Sequence, residues 1–151
     1  AAISACEKGQ QWEHALHLLA QTRDARIAPQ VITWSATISA CEKGHRWEHA
    51  LCLLDLAWRA MDRPNVITYS AVISACEKGH RWVAALLLLK EARCAGLVPN
   101  LVTYSAAISA CEKGKRWDHA LHLLREAQWL GLRPRVVSYS AAISACEKGR
   151  Q

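Results

Sequence analysis

The residues of this 151-residue chain that could do chemistry fall into series with one member every 35 residues. One series is aliphatic, Ile32, Ile67, Val102 and Val137. A second is hydroxylic, Ser35, Ser70, Ser105 and Ser140, accompanied by Ser39, Ser74, Ser109 and Ser144. A third is cationic, Lys43, Lys78, Lys113 and Lys148. Within one copy Ile67, Ser70, Ser74 and Lys78 fall on one face of a helix at about 100° per residue. Stacking such helices about 8–10 Å apart turns the series into parallel rows of aliphatic groups, small hydroxyls and ammonium groups. A polymer with a flat apolar ring, polar edges and one anionic group per unit matches all of these rows. Single-stranded nucleic acid is the common polymer of that description. The competing reading is an ordinary solvated helix face, because a copied unit copies its solvent side too.

The elements that must position these rows follow from the repeat itself. The heptapeptide Ile-Ser-Ala-Cys-Glu-Lys-Gly starts at Ile3, Ile38, Ile73, Ile108 and Ile143. The prolines Pro29, Pro64, Pro99 and Pro134 keep the same step, as do Trp12, Trp47, Trp82 and Trp117 and the aromatics Trp34, Tyr69, Tyr104 and Tyr139. Phased to begin after the Pro-x pair, the chain 1–151 is one array: whole units 31–65, 66–100 and 101–135, with partial units 1–30 and 136–151. Tyr69, Val72, Ile73 and Cys76 make the stripe of a first amphipathic helix that ends at Gly79, read as a left-handed C′ residue. Trp82, Ala85, Leu86 and Leu89 make the stripe of a second helix, closed by Gly96 and Pro99. No segment alternates with period two, so no strand is expected. A helix pair this short cannot bury its own apolar face, and neighbours must stack into an all-α solenoid. The unit count predicts nine helices, with apolar positions such as Ile143 and Cys146 left uncovered at the end.

Composition excludes other classes. Hydrophobic residues are 52% and charged residues 21% of the chain, which suits a globular body rather than disorder. The longest apolar run, 82–89, is eight residues, against the ~18 of a membrane span. The single Met is Met61, so residue 1 is not a translation start and the chain reads as part of a longer one. A net charge of +6 is a modest argument for an anionic partner. Cys6, Cys41, Cys76, Cys111 and Cys146 are read as small buried hydrophobes: neighbouring copies lie beyond the ~7 Å reach of a disulfide. Cys41 with His45, or Cys76 with His80, supplies two ligands where a structural zinc needs four. His14, His49 and His119 follow Glu13, Glu48 and Asp118, acids placed to favour a helix dipole, and adjacent helical residues are read as pointing apart. Trp47, Trp82 and Trp117 are read as core, while Trp58 and Trp129 have no role. No acidic cluster converges to hold a catalytic metal. The expectation is a protein with no enzymatic activity, no cofactor and no metal.

The segment Val-Ile-Thr-Tyr-Ser-Ala-Val-Ile-Ser-Ala-Cys-Glu-Lys-Gly, an Ala/Leu-rich helix and Gly-Leu-Val-Pro-Asn, at a period of 35 across the whole chain, resembles the pentatricopeptide repeat. The 34-residue tetratricopeptide repeat fits neither the period nor the residues; a scaffold of that kind, holding a protein in its groove, is the alternative. The resemblance implies a right-handed superhelix and one base of single-stranded RNA per repeat. Ile32, Ile67, Val102 and Val137 would sandwich the bases, which gives room for three. The fifth and last residues of each unit would read the base: Ser35 with Asn65, Ser70 with Asn100, Ser105 with Arg135, and Ser140 in the last partial unit. Ser with Asn implies adenine, whereas Arg135 departs from the usual Asn or Asp and implies no base. Lys43, Lys78, Lys113 and Lys148 would approach phosphates. The resemblance further implies a chloroplast, ahead of a mitochondrion, and RNA processing, stability, editing or translation, with no membrane and no small-molecule substrate.

Overall fold

The computed structural model describes residues 9, 11–26, 29–60 and 63–149 of the chain. Among them are eight helices of 13 residues and no strand: α1 (Trp12–Asp24), α2 (Val31–Lys43), α3 (Trp47–Arg59), α4 (Val66–Lys78), α5 (Trp82–Cys94), α6 (Leu101–Lys113), α7 (Trp117–Trp129) and α8 (Val136–Lys148). The ninth expected helix, with Ile3 and Cys6, lies outside the described residues.

The helices form a two-layered all-α solenoid. The first helices α2, α4, α6 and α8 pack directly on one another, and each second helix packs on the first helix of its own unit and of the next. Among the described residues no second-helix backbone reaches another second helix. Side-chain size explains the asymmetry. First helices meet through buried Ala36, Ala40, Ala71, Ala75, Ala106 and Ala110, whereas second helices present tryptophan and leucine. Small residues on one layer and large ones on the other wedge the stack, so the first-helix layer lies inside the bend. The expected first-helix stripe is fully buried at Tyr69, Val72, Ile73 and Cys76. The second helix packs against two first helices, which moves its buried stripe to Ala85, Leu88, Leu89 and Ala92 and leaves Trp82 and Leu86 half-buried. Ile143, whose counterparts in earlier units are buried, is 68% exposed, and Cys146 is half-buried.

Burial of the core thiols pushes Cys41 and Cys76 up to about 11 and Cys111 up to about 12. These three and Cys146 are free cysteines, and among the described residues no three His, Cys, Asp or Glu side chains gather as a metal site.

The glycine ending each first helix has a different role from the one read in the sequence. Gly79 has φ −82°. The left-handed residue is the next one, His80 at φ 57°, as are His45 and Lys115 in other units. The turn is still a Schellman closure: the His80 N–H donates to the Glu77 carbonyl at 3.1 Å and the Arg81 N–H to that of Cys76 at 2.8 Å. Glycine precedes this residue because the tryptophan of the preceding unit occupies the space of a side chain. A Cβ on Gly44 would stand 2.5 Å from Cδ1 of Trp12, and on Gly79 and Gly114 nearer still to Trp47 and Trp82. The guanidinium two residues on covers the same ring: Arg46 lies 4.6 Å from the Trp12 centroid, Arg81 4.4 Å from Trp47 and Arg116 4.9 Å from Trp82. These tryptophans are thus half-buried clamps between units, not core residues. At Gly96 (φ 77°) and Gly131 (φ 73°), closing second helices, glycine does supply the left-handed turn.

Two outcomes follow in denaturant unfolding. Gly79→Ala forces a methyl into the Trp47 ring and lowers stability by about 1–3 kcal/mol, whereas His80→Gly relieves a left-handed residue and raises it by ~0.5–1 kcal/mol. In native-state alkylation read by mass spectrometry, exposed Cys52 and Cys94 react first, and Cys41, Cys76 and Cys111 react only on unfolding.

Candidate nucleic-acid interface

The aliphatic row stands out from the first-helix layer. Ile32, Ile67, Val102 and Val137 are 75%, 63%, 62% and 65% exposed, although each opens a helix whose next turns are buried. Four branched side chains on solvent at one spacing form an apolar ridge on the inner surface, with no packing role to account for it.

The hydroxyl row is not free. Ser70 is buried, and its Oγ lies 2.6 Å from Thr103 Oγ1 of the next unit; Ser35 meets Thr68 at 2.8 Å and Ser105 meets Ser138 at 2.8 Å. Only Ser140, bonded to the carbonyls of Val136 and Val137, is exposed. The small residues that let first helices pack closely bring each serine against its neighbour. Asn100 caps α6: its Oδ1 accepts from the Thr103 N–H at 3.0 Å and from Thr103 Oγ1 at 3.0 Å. Asn65 caps α4 in the same way through Thr68, at 3.0 and 3.1 Å.

This arrangement fixes proton directions. An amide oxygen only accepts, so the Thr103 hydroxyl proton goes to Asn100, and Ser70 must be the donor to Thr103. Ser70 is then left with acceptor lone pairs only, and Asn100 with its unused Nδ2 donors. Thr68, Thr103 and Ser138, which close these links, were missed in the sequence. Their signal was the recurrence of a hydroxyl residue three positions after the cap, the spacing at which a cap side chain meets a backbone N–H.

The lysine row is paired. Lys78 reaches Glu42 at 2.9 Å, Lys113 reaches Glu77 at 2.7 Å and Lys148 reaches Glu112 at 2.7 Å, each joining one unit to the one before. Ser144 also donates to Glu112 at 2.9 Å. Burial alone would raise Glu112, but the bonds from Lys148 and Ser144 outweigh it and hold its carboxyl below the usual range. The expected row of ammonium groups is therefore a row of ion pairs at these three positions, with the glutamates of the heptapeptide as partners.

Between α6 and α8 the rows converge. A cleft of about 410 Å³ is lined by Val102, Ser105, Arg135 and Val137, with Ser74, Glu77 and Ser109 at its wall. All four residues assigned to the third base are there. Arg135 is the N-terminal cap of α8 yet makes no side-chain cap bond.

The remaining candidates are structural. His49 packs on Trp12 and His119 on Trp82, with ring centroids 5.4 and 5.7 Å apart. Contrary to expectation, the adjacent Asp118 and His119 do meet, Oδ1 to Nδ1 at 3.0 Å, and Arg116 with His119 holds the Asp118 carboxyl well below its usual range. Trp58 donates to the Tyr69 hydroxyl at 3.1 Å, which itself donates to Glu91 at 2.8 Å. Gln128 occupies the place of Trp58 two units later and donates to Tyr139 at 2.8 Å. Nothing in the structure explains Trp129, which is 92% exposed. No described helix is long and apolar enough to cross a membrane.

Comparison with known proteins fits this geometry. A model described as the PPR repeat family matches residues 64–113, and one described as PPR repeat matches 102–132. No curated protein matches. Among solved structures, the PPR domain of Arabidopsis thaliana protein-only RNase P 1, in complex with tRNA, superposes with a TM-score of 0.87 at 14% identity, over 99% of this chain and 79% of that one. PPR10 in complex with an 18-nt psaJ RNA element gives 0.82 at 27% identity, over 98% of this chain and 22% of that one. PPR10 from maize gives 0.68 at 23% identity, over 97% and 21%. The chain thus spans about a fifth of the PPR10 chain.

The hydroxyl link has a direct test. Thr103→Val keeps the shape but leaves the buried Ser70 hydroxyl without its acceptor, and should cost about 1–2 kcal/mol in thermal or urea unfolding. Thr103→Ser should cost less than half as much, because Ser138 already serves Ser105 in this way.

Proposed function

Since this chain belongs to the pentatricopeptide repeat family, we propose that it binds single-stranded RNA along the inner, first-helix surface, one base per repeat. Successive members of the aliphatic row, Ile32, Ile67, Val102 and Val137, hold each base ring between them. The pairs Ser35–Asn65 and Ser70–Asn100 read the base edge. RNA complexes of PPR10 and of the PPR domain of protein-only RNase P 1 support the polymer class.

The observation that carries the reading is the proton direction in the Ser70–Thr103–Asn100 link. It leaves an acceptor at Ser70 and a donor at Asn100. The Watson–Crick edge of adenine offers the complement, an N6 amine to donate and N1 to accept. Guanine offers the reverse at the same places, O6 and N1–H, and would set acceptor against acceptor at Ser70 and donor against donor at Asn100. Adenine is therefore the base for units 31–65 and 66–100.

Lys43, Lys78, Lys113 and Lys148 lie along the same surface and approach phosphates by sharing their ammonium groups with the neighbouring carboxylates. The chain acts as a binding module without catalysis of its own, in a chloroplast or mitochondrion, on RNA processing, stability, editing or translation. Family membership supports these broader assignments. A protein-binding scaffold is the second reading, favoured by one observation. Val83 and Leu87 are 50% and 61% exposed on the outer face of α5, where other units carry Glu13, Glu48 and Asp118, and His17, Cys52 and His122.

Titration with a pool of short RNAs, followed by sequencing of what is retained, tests polymer and base together, and adenine-rich RNA should be enriched. Asn100→Asp keeps the oxygen that caps α6 and replaces the amide donor by an acceptor. The preference at that unit should move from adenine to guanine by about 1–3 kcal/mol. Log affinity should fall with log salt at a slope of about −2, from ~0.7 for each of the three phosphates met by Lys43, Lys78 and Lys113.

A further inference from the structure

The unit 101–135 departs from its neighbours at the position that reads the base, and the structure shows what the departure changes. In α4 and α6 the cap is an asparagine whose oxygen takes the hydroxyl proton of Thr68 or Thr103 and orients the link. In α8 the cap is Arg135, which has no acceptor and makes no cap bond. Ser138 therefore has no cap oxygen to claim its proton, and the Ser105–Ser138 contact of 2.8 Å can run either way. Arg135 has no carboxylate partner among the described residues and lines the cleft between Val102 and Val137 together with Ser105.

We infer that the third base site is a guanine site in which Arg135 donates two parallel hydrogen bonds to O6 and N7. This rests on the base-by-base reading above. A guanidinium is a rigid fork of donors and seeks two acceptors side by side. Guanine supplies them as O6 and N7, the commonest specific pairing of arginine with a base. Adenine places its N6 amine beside N7, and uracil places N3–H between its two carbonyls, so each sets a donor against the fork. Cytosine, with O2 beside N3, is the one competitor. The single-ring base, however, extends less far from the aliphatic clamp toward the cap of α8. Arg135 meets the ring edge rather than the strand, because it lines the same cleft as the two aliphatic walls that hold the ring. Ser105, free to turn its proton either way, can meet a donor or an acceptor on the base.

The test uses the intact chain and short RNAs carrying two adenines and one variable base at either end, with affinity read by fluorescence titration and folding checked by circular dichroism. Guanine at one end should bind tighter than adenine or uracil there by roughly 5- to 150-fold, the span of one bidentate contact. Arg135→Asn should restore adenine at that end. Arg135→Lys should keep the salt dependence and lose the guanine preference, since an ammonium cannot make the fork. Discrimination of the two adenines with no preference at the third base would overturn this assignment alone and make Arg135 a phosphate contact. Preference for cytosine would overturn it equally. Indifference to base at all three positions would overturn the base-by-base reading and this assignment together.

Discussion

Each unit is held to the next by a tryptophan laid where a glycine leaves room. Gly44, Gly79, Gly114 and Gly149 face Trp12, Trp47, Trp82 and Trp117 at a distance no side chain could share. Arg46, Arg81 and Arg116 cover the first three of these rings from the turn that follows each glycine. Everything else about the stack follows from that spacing. It sets where the next first helix begins, and so how closely Ser70 approaches Thr103, whether Lys113 reaches Glu77, and how far Ile67 stands from Val102. In a solenoid the stability is roughly a sum of such interfaces, so the same contact, repeated, sets both the fold and the pitch of the rows.

The wedge between the layers has a chemical result. Where alanines let first helices close up, serine, threonine, lysine and glutamate from successive units are pressed into direct contact, and polar links run along the inner surface from unit to unit. Where leucine and tryptophan hold second helices apart, the outer surface opens into clefts such as that lined by Leu86, Lys90, His119 and Leu123. The inner surface is thereby ordered by hydrogen bonds and ion pairs, and the outer one mainly by packing, with a few polar links such as the Arg93–Glu126 ion pair between second helices.

Period and stripe were legible because they depend on residue type at fixed spacing: Tyr69, Val72, Ile73 and Cys76 are buried as their spacing requires. The roles of single residues were less so, because each depends on what the neighbouring unit brings. Gly79 looked like a left-handed turn because glycine commonly serves there; its actual reason, Trp47, lies 32 residues earlier in the chain. Ser70 looked exposed by helical angle alone, but the angle carries no information about how near α6 comes. Lys78, Lys113 and Lys148 looked like a bare cationic row, although the glutamates that pair with them stand in the same heptapeptide, one unit away. The assigned rows do lie together on one surface, and the cleft at Val102, Ser105, Arg135 and Val137 gathers from two units the residues that the proposed reading gives to one base.

The asparagine that ends each whole unit in 31–100 also caps the next first helix, and under the proposed reading this joins recognition to folding. A residue at that place must hold the helix start through one atom and meet the ligand through another. Only a short side chain with two polar atoms on one branch can do both, which limits the usable set largely to Asn and Asp. The vocabulary of such an array is thus bounded by helix-capping chemistry before any ligand is present. A unit that steps outside it, as at Arg135, gains a new recognition group by giving up the anchor of its neighbour's first turn, so each unconventional letter is best carried between units that keep the standard one.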